Sequence, residues 1–144
     1  MKKRPSVPLL MILALVLVAC GGGGEEAGGD SGAITVSVQD EFSFEPSTIS
    51  VATGESVDIT FENTGSVEHS FYILKADAEL EHVLEEEDEE HLHEELLFDI
   101  HEVAAGESST ATLTAPDTPG DYTIACLVPG HADAGMVGTL QVTP

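Results

Sequence analysis

The tightest constraint on this chain is a short segment near its C-terminus, Cys126-Leu-Val-Pro-Gly-His131-Ala-Asp-Ala-Gly-Met136. It carries a thiol, an imidazole and a thioether in the spacing C-x4-H-x4-M. Alternating apolar runs flank it, Tyr122-Thr-Ile-Ala-Cys126 before and Met136 to Val142 after. Such runs read as half-buried strands. Cys126 closes one and Met136 opens the next, so the loop is pinned at both ends. Gly130, Gly135 and Gly138 permit tight backbone turns beside it.

The donor types select the metal. Thiolate and thioether are soft ligands that favour copper, Cu(I) in particular, and imidazole suits both oxidation states. One more imidazole would complete two His, one Cys and a weak axial Met, the set of a blue-copper electron-transfer site. Six His are present, at 69, 82, 91, 93, 101 and 131. His69 is the best fourth ligand. It follows the turn signal Asn63-Thr-Gly65 and opens the apolar run His69 to Leu74, which places it at the mouth of a strand. The other four upstream His lie in or beside a very acidic segment.

Together these residues resemble the cupredoxins, the small blue copper proteins. Phe42-Ser-Phe44-Glu-Pro46, Ile49-Ser-Val51, Gly54, Val57 to Phe61 and Asn63 look like the first half of that family. Pro119-Gly-Asp-Tyr122 to Cys126 and Pro129-Gly-His131 look like its second half. The ligand-loop spacing is similar to that of the rusticyanin and auracyanin branch. The resemblance covers roughly residues 33–143 and implies one copper per chain. By it, His69, Cys126 and His131 bind copper near one plane and Met136 is axial. Many members have Asn after the first ligand His; here Ser70 stands there. A binuclear centre with two bridging thiolates is excluded, because Cys20 belongs to an N-terminal export segment and Cys126 is the one thiol left for metal.

The leader is Lys2-Lys-Arg4, an apolar stretch from Leu9 to Ala19, then Cys20, the pattern of a signal peptide. Its apolar stretch falls well short of the roughly 20 residues a membrane-spanning helix needs. Leu17-Val-Ala-Cys20 looks like a bacterial lipobox. The expected organisation is a lipoprotein signal at 1–19, a lipidated Cys20 with a flexible Gly/acidic tether at 20–32, and one domain at 33–144. Acyl chains on Cys20 would anchor the protein to the outer face of the cell membrane or in the periplasm. With one Cys assigned to lipid and the other to metal, no disulfide is expected.

Three of the four Lys and Arg leave with the leader, and only Lys75 then faces 27 Asp and Glu. Nucleic-acid binding needs Lys and Arg at phosphates and is excluded. A basic partner would be steered in. Such self-repulsion points to a saline setting.

Strands are expected at Ile34–Val38, Ile49–Val51, Val57–Phe61, His69–Leu74, Thr110–Thr114, Tyr122–Cys126 and Met136–Val142, with Gly and Pro turns between them. This is an all-β pattern, and the resemblance makes it a Greek-key β-sandwich. An insert at about residues 76–101 is rich in Glu and Leu and is expected to be helical, its middle frayed by six consecutive acids at 85–90. It reads as a solvated acidic face, with its His as ordinary members of that face. The i,i+4 pairs Glu89/His93 and His82/Glu86 could each share a helix face, the alternative being a weak copper-capture arm. Leu127, Val128, Pro129, Ala132, Ala134 and Val137 are expected to ring His131 as a docking surface, with one or two of them turned into the core. On that reading Val128→Glu or Ala132→Glu would slow electron exchange and leave the blue colour intact.

The expected function is electron transfer by a monomeric mononuclear copper protein. It would cycle Cu(II)/Cu(I) between cytochrome- or oxidase-type redox partners docking near His131. The alternative is an extracytoplasmic copper chaperone or storage protein. No nucleophile–base constellation is evident, so no enzymatic activity is expected.

Overall fold

The computed structural model describes residues 32–86 and 88–144. The expected signal peptide, Cys20 and most of the tether lie outside the described residues. Among those described, nine strands form two sheets. The first sheet has β1 (Gly32–Val38), β2 (Phe44–Glu45), β4 (Ser56–Asn63) and β7 (Ser108–Thr114) in the order β2-β1-β4-β7. The second has β3 (Thr48–Ala52), β5 (His69–Leu74), β6 (Leu96–Val103), β8 (Gly120–Ala125) and β9 (Val137–Thr143) in the order β3-β9-β8-β5-β6. β1 pairs with β4, and β3 with β9, in parallel. Parallel neighbours cannot be joined by tight hairpins, so the chain crosses between sheets, as a Greek-key sandwich requires.

Alternation builds the core. Along β4, Val57, Ile59 and Phe61 point inward while Ser56 and Glu62 face solvent. They meet Val36, Val38, Phe44, Phe71, Leu113, Ile124 and Leu140 between the sheets. Gly138 marks a close approach. A Cβ there would lie 2.7 Å from the Ser47 carbonyl oxygen and 3.4 Å from Ile124 Cβ, so only glycine fits.

All six residues of β5 are buried. One face looks into the sandwich. The other is covered by two short helices, α1 (Leu80–Glu85) and α2 (Glu89–Glu95). Tyr72, Leu74 and Ala125 there pack with Val83 and Leu96, flanked by Leu80, Leu92 and Leu127. The helices part within the run of acids. Like-charge repulsion opposes one continuous helix, and Asp88 starts the second by accepting from the Glu90 N–H at 2.9 Å.

The insert is less helical than its sequence suggests. Residues 96–103 form β6, an edge strand against β5. Leu96, Phe98 and Ile100 are buried, with Leu97 and Asp99 less so, the alternation of a strand rather than the stripe of a helix. Lys75 fastens the far side of the insert: its N–H donates to the Glu95 carbonyl at 2.9 Å, and its ammonium donates to the Glu94 carbonyl. No described helix is long and apolar enough to cross a membrane.

Candidate metal centre

Cys126 leaves β8 and Met136 leads into β9. The Cys126 N–H donates to the Met136 carbonyl at 3.2 Å, continuing the β8–β9 ladder by one step. Within the loop the Met136 N–H returns to the His131 carbonyl at 3.0 Å, and the His131 N–H reaches the Val128 carbonyl at 3.0 Å. Gly130 and Gly135 take φ of 84° and 99°, a region L side chains rarely enter. The loop is thus held by its own backbone, with Met136 fully buried beside Cys126 in the core.

His69 comes from the start of β5 on the neighbouring strand. Asn63 shapes the turn before it: its side-chain amide donates to the Val67 and Val103 carbonyls at 2.7 and 2.8 Å and its oxygen accepts from the Gly65 N–H at 3.0 Å. Asp40 then accepts from the Ser66 N–H and hydroxyl at 2.7 and 3.0 Å. Those bonds hold the Asp40 carboxyl below the usual carboxylate range.

The fold brings three of the expected ligands to one point. The donor atoms of His69, Cys126 and His131 all lie within 4.8 Å of one another. Cys126 Sγ is 3.4 Å from His131 Nδ1. Both ring nitrogens of His69 are buried with no partner in good hydrogen-bond geometry, the sole such side-chain atoms among the described residues, the Gln39 backbone coming near without satisfying either. An unmet buried polar group costs about 1–3 kcal/mol, so this imidazole is built for a partner other than protein. Burial and the neighbouring His131 push its pKa below the ordinary value, opposed by the Gln39 backbone and Asp40. A neutral imidazole is the form that ligates metal. Copper fits this donor set of two imidazoles and a thiol, with the buried thioether of Met136 on the same loop.

Ser70 bridges the two halves of the site. Its N–H lies 3.4 Å from Cys126 Sγ, its hydroxyl 3.6 Å from the same sulfur, and that hydroxyl accepts from the Leu127 N–H at 3.0 Å. The serine therefore joins the His69 strand to the Cys126 loop, in the position where many cupredoxins carry Asn.

Two features correct the expected surface. Val128 and Ala132 are buried, so neither is part of an exposed ring. Val128→Glu would place a charge in the core and disturb folding before docking. Phe42, absent from the expected docking ring, is 40% exposed at φ 31°, its ring edge-on to His131 at 4.9 Å between centroids. An aromatic residue in the polar stretch Gln39-Asp-Glu-Phe42-Ser was the available signal.

Residues 31–143 match the copper binding proteins of the plastocyanin/azurin family. The chain belongs to that family, the cupredoxins. It is 34% identical over 114 residues to the copper-resistant cuproprotein CopI of Rubrivivax gelatinosus, across 76% of this chain and 65% of that protein, just under two thirds of its length. Auracyanin-A of Chloroflexus aurantiacus is 30% identical over 146 residues, across 85% of this chain and 86% of that protein. Among solved structures, reduced auracyanin from Roseiflexus castenholzii superposes with a TM-score of 0.66 at 28% identity, covering 81% of this chain and all of that one.

Proposed function

We propose that this protein is a one-electron carrier outside the cytoplasm, in which His69, Cys126, His131 and Met136 would hold one copper. Copper supplies a Cu(II)/Cu(I) couple. The chain's own residues supply a cage that resists rearrangement. The loop is fixed by backbone bonds at both ends, and Ser70 ties it to the His69 strand. His69 and Cys126 are fully buried and exclude water, while the His131 ring is half-buried at the surface beside Phe42. Redox partners would dock there, on Phe42, Pro129, Ala134 and Val137. Lipid on Cys20 would keep the domain at a membrane surface.

The observation that carries this reading is the pair of partnerless buried nitrogens on His69, set within reach of a thiol and a second imidazole. A specific observation favours copper handling as the second reading: the CopI relative is described as copper-resistant. Voltammetry with chelator challenge separates them. A reversible one-electron wave with slow metal loss supports the carrier. Rapid transfer of copper to the chelator, with no reversible wave, supports a chaperone or storage role.

A further inference from the structure

We infer that His93, His101 and Asp99 form a second, surface-facing site for a borderline divalent cation, Cu(II) foremost, away from the buried centre. The insert folds back so that His93, in the last turn of α2, faces His101 on β6 with ring centroids 6.2 Å apart in an edge-on arrangement. The sequence pairings of Glu89 with His93 and His82 with Glu86 missed this contact, because it joins a helix to a strand hidden in the same insert.

Asp99 and His101 are two residues apart on β6 and share a face. His101 Nε2 lies 3.2 Å from Asp99 Oδ2. That is the span of two donors on one cation with bonds of about 2.0–2.2 Å. The other ring nitrogen, Nδ1, is 3.0 Å from the Tyr72 hydroxyl. Without a cation the Nε2 proton faces Asp99; a cation taking its place between them would leave Nδ1 to donate to the Tyr72 oxygen, the arrangement that orients a metal-binding imidazole. β6 also carries an extra residue here: Ile100 and Val103 oppose Phe71 and His69, three steps against two. Such a bulge re-aims side chains, and Glu102 borders the same recess of about 190 Å³ as Tyr72, His93 and His101. Among the described residues only the buried centre has three donors already within 4.8 Å of one another, so His93, exposed at the end of a short helix, would have to rotate its side chain onto a cation held by His101 and Asp99.

Imidazole and carboxylate donors suit Cu(II), Zn(II) and Ni(II), and Cu(II) binds most tightly of these. The surrounding acids raise the local concentration of any divalent cation without selecting one. Selection falls to the two imidazoles.

The test is a titration with Cu(II) of protein whose buried centre is already filled, read by equilibrium dialysis and electron paramagnetic resonance. One further equivalent is expected, with a spin signal distinct from the first. His93→Ala and His101→Ala should each weaken it about tenfold or more, and Tyr72→Phe, which removes the orienting hydroxyl, about tenfold. His82→Ala and His91→Ala should leave it unchanged. His69→Gln should weaken or alter the first equivalent and leave this one unchanged, so the two sites respond separately. His93 is exposed, so its variant reports binding even where another fails to fold. Binding that stops at one equivalent overturns the inference. So does a second equivalent that survives both His93→Ala and His101→Ala, or that falls equally in all four His variants.

Discussion

Ser70 carries two jobs with one hydroxyl: it accepts from the Leu127 N–H and lies against Cys126 Sγ. Ser70→Ala leaves a partly buried N–H without its acceptor, at about 1–2 kcal/mol. It also removes a donor from the sulfur. A donor to thiolate favours the more electron-rich reduced site, so its loss should lower the reduction potential, measurable by voltammetry. His69 makes the metal-free protein pH-sensitive. In the unfolded chain its imidazole protonates near pH ~6.5, whereas the folded value is depressed. Between the two values the unfolded chain holds the extra proton. Stability is therefore full above about pH 6.5, declines as pH falls below it, and levels off once the folded imidazole is also protonated. Urea unfolding of metal-free protein across this window should show that slope, and His69→Gln should flatten it. Phe42 is the exposed position at which a docking substitution reports cleanly. Phe42→Glu should slow electron exchange with partner proteins while the visible spectrum of the loaded protein stays intact.

Among the elements, the β8–loop–β9 unit depends on close backbone packing at its root. Gly138→Ala would drive a Cβ against the Ser47 carbonyl, and overpacking of this kind costs about 1–3 kcal/mol. A lower urea midpoint should show it. The same unit was the most legible part of the sequence, because Cys126, His131 and Met136 sit on one loop and their spacing is local. His69 was legible through the strand it opens. What the sequence hid was tertiary. Leu92 and Leu96 continue a helical stripe into residues that in fact pair with β5, so β6 was absorbed into the helical insert although Leu96, Phe98 and Ile100 alternate. Spacing also cannot say which loop residues face water. Val128 and Ala132 turn inward because the loop closes on itself through backbone bonds. Phe42 reaches His131 across a long sequence gap, which no local pattern records.

At the scale of the whole molecule, charge opposes the fold and the two sheets resist it. The chain has a formal charge of −23, and among the described residues Lys75 is the only Lys or Arg. The screening length falls from about 10 Å at 0.1 M salt to about 3 Å at 1 M. Stability should therefore rise between dilute buffer and molar KCl, and a urea midpoint independent of KCl would remove the self-repulsion argument. The copper centre is a property of the same scale, since His69 and the Cys126 loop come from different strands and meet only when the second sheet is assembled. The most direct measurement is the visible absorption of the oxidised, copper-loaded protein beside its His69→Gln variant. An intense sulfur-to-copper charge-transfer band in the red, altered or lost in the variant, is the predicted result. A protein that stays colourless with cupric salt and oxidant, or a band indifferent to His69, would contradict it.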